Sequence, residues 1–172
     1  QAIDPIRTVV ASARNPMRGF SDRTGQECHL STLEEGRLLV LAQESGVGAI
    51  TLRVREGSVH DPRRTASGRL LLATVSEAEY KWHTALARKQ FPGRVPNFPP
   101  QERSRLRSAG ICNATNESHP GIRDCVIRVD TGPTGLRTAL ASSRLLPHAS
   151  DDALAAEETM LRETAALIGG NG

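Results

Sequence analysis

Aromatic residues are scarce. Phe20, Tyr80, Trp82, Phe91 and Phe98 make up 3% of the 172 residues. Proteins that hold single-stranded nucleic acid stack bases on exposed rings, so this scarcity argues against an RNA or single-strand platform. Cysteine is scarce too. Cys28, Cys112 and Cys125 form no C-x-x-C pair and show no zinc-ligand spacing, which reads as reduced cytosolic thiols with no disulfide framework and no metal. Long apolar runs are missing. The longest span about four or five residues, as in Leu70–Ala73, against the roughly 18 of a membrane helix. No basic stretch followed by an apolar core stands at the front, so no signal peptide is read. The expectation is a cytoplasmic protein without membrane contact. Asn113-Ala114-Thr115 and Asn116-Glu117-Ser118 match the glycan acceptor pattern, but without a secretion signal they read as chance.

Charge of one sign never accumulates. The 22 basic residues, mostly Arg, are scattered among 19 acids for a net charge of +3 and a pI near 9.1. That is the pattern of a solvated surface, and nothing in it demands direct DNA contact. Catalytic signatures are missing as well. Gly46-Val47-Gly48 lacks the phosphate-cradling pattern, and Thr65-Ala66-Ser67-Gly68 reads as the start of a helix, not as a nucleophile elbow. His29, His60, His83, His119 and His148 stand singly, with no H-x-x-x-H pair. No cofactor and no catalytic residue are assigned. At 18.5 kDa the chain suits one domain, read over residues 1–172. A start at Gln1 in place of Met suggests a processed chain or an excised fragment.

What is present is an ordered series of amphipathic segments. Ile6, Val9, Val10, Ala13, Met17 and Phe20 repeat at helical spacing, with Pro16 expected to break or restart that helix. Three strands are read next, at Glu27–Leu33, Arg37–Gln43 and Val47–Arg55, with turns at Glu34-Glu35-Gly36 and Ser45-Gly46. Such short turns imply antiparallel pairing. Gly57–Arg64 reads as a loop, and a helix follows over Thr65–Thr74. Ser76 and Glu79 form a capping box for the next helix. Phe91–Pro100 is a proline-rich connector, and a short polar helix runs to Ser108. A second strand set covers Ile111–Thr115, Gly121–Asp130 and Leu136–Ser143. Ser150, Asp151 and Asp152 open a final helix. Strands in hairpin groups with helices between and after them give an α+β fold with an antiparallel sheet of about six strands.

One residue breaks the pattern. Asp124 stands in a strand on the same face as Ile122 and Val126. A carboxylate there is costly unless it is paired or liganded, so either the face is partly exposed, or a nearby Arg neutralises it, or it is a pocket wall. Ser143 is a weaker case of the same kind. The small residues Thr65-Ala66-Ser67-Gly68 leave room for a ligand at a helix N-terminus, or simply allow close packing.

Three stretches together resemble the C-terminal effector-binding domain of IclR-type bacterial transcription regulators. Thr24-Gly25-Gln26-Glu27-Cys28-His29-Leu30-Ser31-Thr32-Leu33 is similar to that family's T-G-E-T-V-H-L-x-x-L. Leu52-Arg53-Val54-Arg55-Glu56-Gly57-Ser58, followed by Thr65-Ala66-Ser67-Gly68-Arg69-Leu70-Leu71-Leu72-Ala73, is similar to its L-R-x-x-x-G-x and T-A-x-G-K-A-x-L-A. Gly110-Ile111-Cys112-Asn113, Glu117, Gly121–Val126 and Leu136–Ser143 resemble its third signature, and Leu161–Ala165 echoes its L-R-E-x-A. The resemblance spans essentially the whole chain.

It implies a GAF-like or profilin-like curved sheet flanked by helices, with helices on one side and an effector pocket on the other. It implies homodimers or tetramers, and operator DNA bound only through an N-terminal winged helix-turn-helix, for which these residues leave no room. By position, the effector pocket would be lined by Thr51, Val54, Pro62, Ser67, Gly68, Ala114, Asp124, Ala141 and Ser143. The effector would be a small organic acid or a hydroxylated metabolite. Departures are evident. Arg69 stands where lysine is usual, Ala114 where Asp is frequent, Asp124 where a small residue is usual, and Arg63 and Arg64 where apolar residues are frequent. The carboxylate has in effect moved within the pocket, where it is expected to accept hydrogen bonds from a ligand hydroxyl or amine, or to pair with an Arg such as Arg64 or Arg69 that grips a ligand acid. Two other functions stay open: a small hydrolase using Asp124 and a histidine, and a stand-alone GAF-like interaction domain.

Overall fold

The computed structural model describes residues 4–48, 50–146 and 150–170. Its first helix starts where Asp4 accepts hydrogen bonds from the amides of Ile6 and Arg7, and it ends at Gly25, whose φ of 71° is left-handed. This helix, α1, covers Pro5–Thr24 without interruption. Pro16 does not break it, contrary to the sequence reading. The missing amide forfeits one intrahelical bond, while Val9, Ala13, Met17 and Phe20 bury a continuous stripe on either side of it. Met17 and Phe20 are fully buried, worth about 1.5–3 kcal/mol each in transfer terms.

Four further helices are α2 (Ala66–Thr74), α3 (Glu77–Gln90), α4 (Pro100–Ala109) and α5 (Asp151–Ile168). Ser76 caps α3 as read, its Oγ accepting from the Glu79 amide at 3.1 Å, but the Glu79 carboxylate accepts from the Ser76 hydroxyl at 3.3 Å and not from the Ser76 amide of a full capping box. Thr65 caps α2 and Ser150 caps α5.

The strands are β1 (Cys28–Glu34), β2 (Arg37–Glu44), β3 (Val59–His60), β4 (Ile111–Thr115), β5 (Ile122–Val129) and β6 (Thr138–Leu145). They form one antiparallel sheet in the order β3-β2-β1-β6-β5-β4. The β1–β6 pairing joins the two hairpin groups at the centre.

The third strand expected over Val47–Arg55 is not there. Ala49 lies outside the described residues, and the described remainder carries no strand. Its alternation buries little: Val47 is 76% exposed and Ile50 is 80% exposed. The edge of β2 is occupied by the turn that follows. Gly57 donates to Val40 O at 2.8 Å and Val40 donates to Ser58 O at 3.0 Å. The third strand is instead the short β3, inside the segment read as a loop.

Helices cover both faces of the sheet, where the resemblance implied one. On one face α1 and α5 pack over Cys28, Leu30, Ile127 and Leu140. On the other, α2 and α4 place Leu70, Leu71 and Leu106 against Leu38, Val126, Ala139 and Ala141. On that second face the candidate site lies beneath the start of α2.

Candidate functional site

Strand register builds the floor of the site. Asp124 stands opposite Ser143, Val126 opposite Ala141, and Ala141 opposite His29. Side chains alternate along a strand, so Asp124, Ala141, Ser143, His29 and Ser31 share the face that carries α2 and α4. The start of α2 forms the roof. There Gly68 lies so close to the loop before it that a Cβ would meet Pro62 Cα and O at 2.3 Å. No residue with a side chain fits, and the roof is fixed at that height. Asp61 and Arg63 lock the same loop. Arg63 Nε and Nη2 donate to the Asp61 carboxylate at 2.9 and 2.8 Å, and Nη2 also donates to Phe91 O at 2.7 Å.

Between floor and roof lies a cavity of about 110 Å³, lined by Ser31, Ser67, Asn116, Asp124, Ser143 and other residues that include His29, His60 and Val54. It abuts an outer cleft of about 700 Å³. The two share Ala66, Asn116 and Asp124 as walls.

Asp124 is 8% exposed. It is not paired with an arginine. Ser143 Oγ donates to its Oδ1 at 2.6 Å and Asn116 Nδ2 donates to its Oδ2 at 3.1 Å. Asn116 is itself held, since its Oδ1 accepts from the amides of Ser118 and His119 at 3.1 and 3.0 Å. Glu27, 3% exposed, accepts from the Ser143 amide at 2.8 Å and bonds His29 Nδ1 through both oxygens at 3.1 Å. Ser31 Oγ is buried with no partner.

Burial pushes the His29 imidazole pKa down, but the charge and hydrogen bond of Glu27, and the charge of Asp124, outweigh burial and hold it above the ordinary value. His60 is held below it by burial and by the charge of His29. A base whose folded pKa is raised stabilises the fold fully below its unfolded pKa, and that stability is lost as pH rises through the folded value. His29→Gln should therefore cost more stability at pH 6 than at pH 9. Thermal melts of both proteins at the two pH values check this, and a cost independent of pH refutes it.

The sequence-assigned residues fall into three groups. Val54, Ser67, Asp124, Ala141 and Ser143 line the inner cavity, and Ala114 lines the outer cleft. Pro62 and Gly68 are buried in the contact that sets the roof. Thr51 is exposed and lines a third cavity with Gln26, Glu27, Leu52 and Ser143, the last of which is also a wall of the inner cavity. His29, Ser31, His60 and Asn116 went unassigned. Two of them had a signal: the strand face Glu27, His29, Ser31 is polar although its other face is apolar.

Among the described residues no three His, Cys, Asp or Glu side chains converge to hold a metal. His148 lies outside them. Burial pushes the thiols of Cys28 and Cys125 up to about 12, away from the thiolate form that reacts or binds metal. Cys112 lines the outer cleft, and burial raises its thiol as well. Ser143 Oγ donates to the Asp124 carboxylate and not to His29, whose Nδ1 is engaged by Glu27; the Ser–His contact at this cavity is Ser58 Oγ with His60 Nε2 at 3.0 Å.

The sequence profile of the family described as the C-terminal part of the bacterial transcriptional regulator IclR matches residues 5–127. The chain belongs to the IclR C-terminal family. Solved structures agree with this IclR fold at low sequence identity. IclR of Thermotoga maritima superposes with a TM-score of 0.78 at 20% identity, over 94% of this chain and 67% of that one. The C-terminal domain of the E. coli regulator KdgR gives 0.74 at 20% identity, over 95% and 98% of the two chains. An IclR homologue of Microbacterium hydrocarbonoxydans complexed with 4-hydroxybenzoate gives 0.71 at 18% identity, over 96% and 68%. Comparison with curated proteins finds no match. The IclR C-terminal family is one of transcription regulators, and no described helix is long and apolar enough to cross a membrane.

Proposed function

We propose that this IclR C-terminal domain is the effector-sensing and oligomerising part of a cytoplasmic regulator. It takes a small organic acid or hydroxylated metabolite in the cavity between α2 and the sheet and acts without catalysis or cofactor. The observation that carries the reading is the buried, unpaired hydroxyl of Ser31 in a cavity that also presents Asp124 and Ser143. Buried polar groups are nearly always bonded, so an orphan hydroxyl on a cavity wall suits a ligand or water. The 4-hydroxybenzoate complex of the related Microbacterium protein supports the same class of effector.

In this reading residues 1–172 form a single domain of a longer regulator. Operator DNA is bound by a separate winged-helix module of the parent protein, and the domain associates as a homodimer or tetramer. The effector then shifts the balance of protomer arrangements through its different affinity for each. A thermal-shift screen of hydroxy and keto acids at millimolar concentration tests the sensing role. At 100 times its Kd a true effector raises the unfolding free energy by about 2.7 kcal/mol. Turnover of the ligand would point to the hydrolase. No shift with any acid, together with no effect on operator binding by the parent protein, would leave only an interaction domain.

A further inference from the structure

The inner cavity and the outer cleft differ in charge. Asp124 stands at the inner cavity, and Glu27 stands behind His29. A carboxylate brought in there meets like charge. The outer cleft is lined by four guanidiniums, Arg64, Arg69, Arg94 and Arg105, against Glu102 and Glu117, with Asp124 at the boundary. Its outer wall is therefore net positive.

Ser31, whose buried Oγ has no partner, lines the inner compartment, and Arg69 lines the outer one. Arg69 is held firmly. Its Nη2 donates to Asn97 O at 3.2 Å and to Glu102 at 3.0 Å, and its guanidinium lies 4.5 Å from the Phe98 ring centre. The Arg69 side chain is 21% exposed, and a guanidinium pinned in this way loses little freedom on binding a further acceptor through its accessible edge.

Resting on the reading of the inner cavity as the effector site, we propose that the two compartments form one bipartite site for a hydroxy carboxylate of extended shape. The hydroxyl end enters the inner cavity at Ser31, Asp124 and Ser143. The carboxylate end stays in the outer cleft on Arg69. The potential along the site sets the orientation, and Arg69 sets the preference for an acid over a neutral analogue. Charge-assisted hydrogen bonds are about twice as strong as neutral ones and favour carboxylate over amide.

The test uses the full chain, a series of ω-hydroxy carboxylates of increasing length, and 4-hydroxybenzoate. Each is titrated beside its primary amide and beside the same acid lacking the hydroxyl. For the best-fitting member the acid should bind about tenfold to a hundredfold tighter than its amide. Arg69→Gln should collapse that ratio to near one and leave the affinity for the amide unchanged, and Arg69→Lys should restore part of it. Ser31→Ala should weaken the hydroxy acid but not the acid lacking the hydroxyl. Ligand-free melts of each variant report folding separately. An amide that binds as well as its acid, or an acid preference that survives Arg69→Gln, overturns the bipartite site while ligand binding itself leaves the sensing role standing. No binding by any member, acid or amide, overturns both.

Discussion

Arg63→Met should lower the free energy of unfolding by about 3–5 kcal/mol, the usual cost of stripping one partner from a buried ion pair. The side chains of Arg63 and Asp61 are only 8% and 6% exposed. Arg63 gives Asp61 two guanidinium bonds, and its own amide adds a third at 3.0 Å. The same guanidinium donates to Phe91 O, the cap residue of α3, where a cation also suits the helix dipole. Methionine fills the volume and offers no donor. Asp61 then keeps only its amide contact and Arg64 Nε at 3.6 Å, and Arg64 places the loss toward the lower end of the range. Urea unfolding measures it. Adding Asp61→Asn to Arg63→Met should recover part of the loss, because no buried charge is then stranded, and a double-mutant cycle reads the coupling. A cost below about 1 kcal/mol, the scale of an exposed pair, would show that the loop is anchored by Pro62 against Gly68 alone.

This pair also shows where sequence reasoning ran out. Arg63 was visible as a charged residue where apolar ones are frequent, but nothing in the sequence said that it folds back on Asp61, two residues earlier. Local periodicity carried the helices and five of the six strands, because apolar spacing and capping residues are short-range properties. It failed at Val47–Arg55, where the alternation is real but a turn with Gly57 and Ser58 takes the edge of β2. It failed at Pro16, where tertiary packing along Val9, Ala13, Met17 and Phe20 outweighs one lost hydrogen bond. Asp124 was legible as a misfit on an apolar face. Its partners were not, because the pairing of Asp124 with Ser143 depends on the β5–β6 register and the contact with Asn116 depends on a loop. His29 was read as a lone histidine although Glu27 stands two residues before it on the same strand face; only the charge of Asp124 comes from a distant segment.

Asp124→Asn should weaken effector binding about tenfold to a hundredfold, or about 1.5–3 kcal/mol, the loss of one charged hydrogen-bond partner. The substitution keeps the shape and removes the charge. From the sequence alone, stability was expected to change little or to rise, since a lone buried carboxylate burdens a fold. The geometry changes that expectation, because Asp124 is not alone. An asparagine there can still accept the Ser143 hydroxyl through its oxygen. Its amide nitrogen then faces the Asn116 amide nitrogen, donor against donor. Asn116 is not free to turn over, because its oxygen already accepts the amides of Ser118 and His119. One hydrogen bond is lost, and His29 loses part of the charge that holds its pKa up. The expected cost to stability is about 1 kcal/mol, smaller than the cost to binding. Isothermal titration with the tightest acid of the screen, beside thermal melts without ligand, separates the two. Affinity retained within a factor of two, together with a large fall in melting temperature, would make Asp124 a structural partner of Ser143 and Asn116 and would move the effector away from this wall.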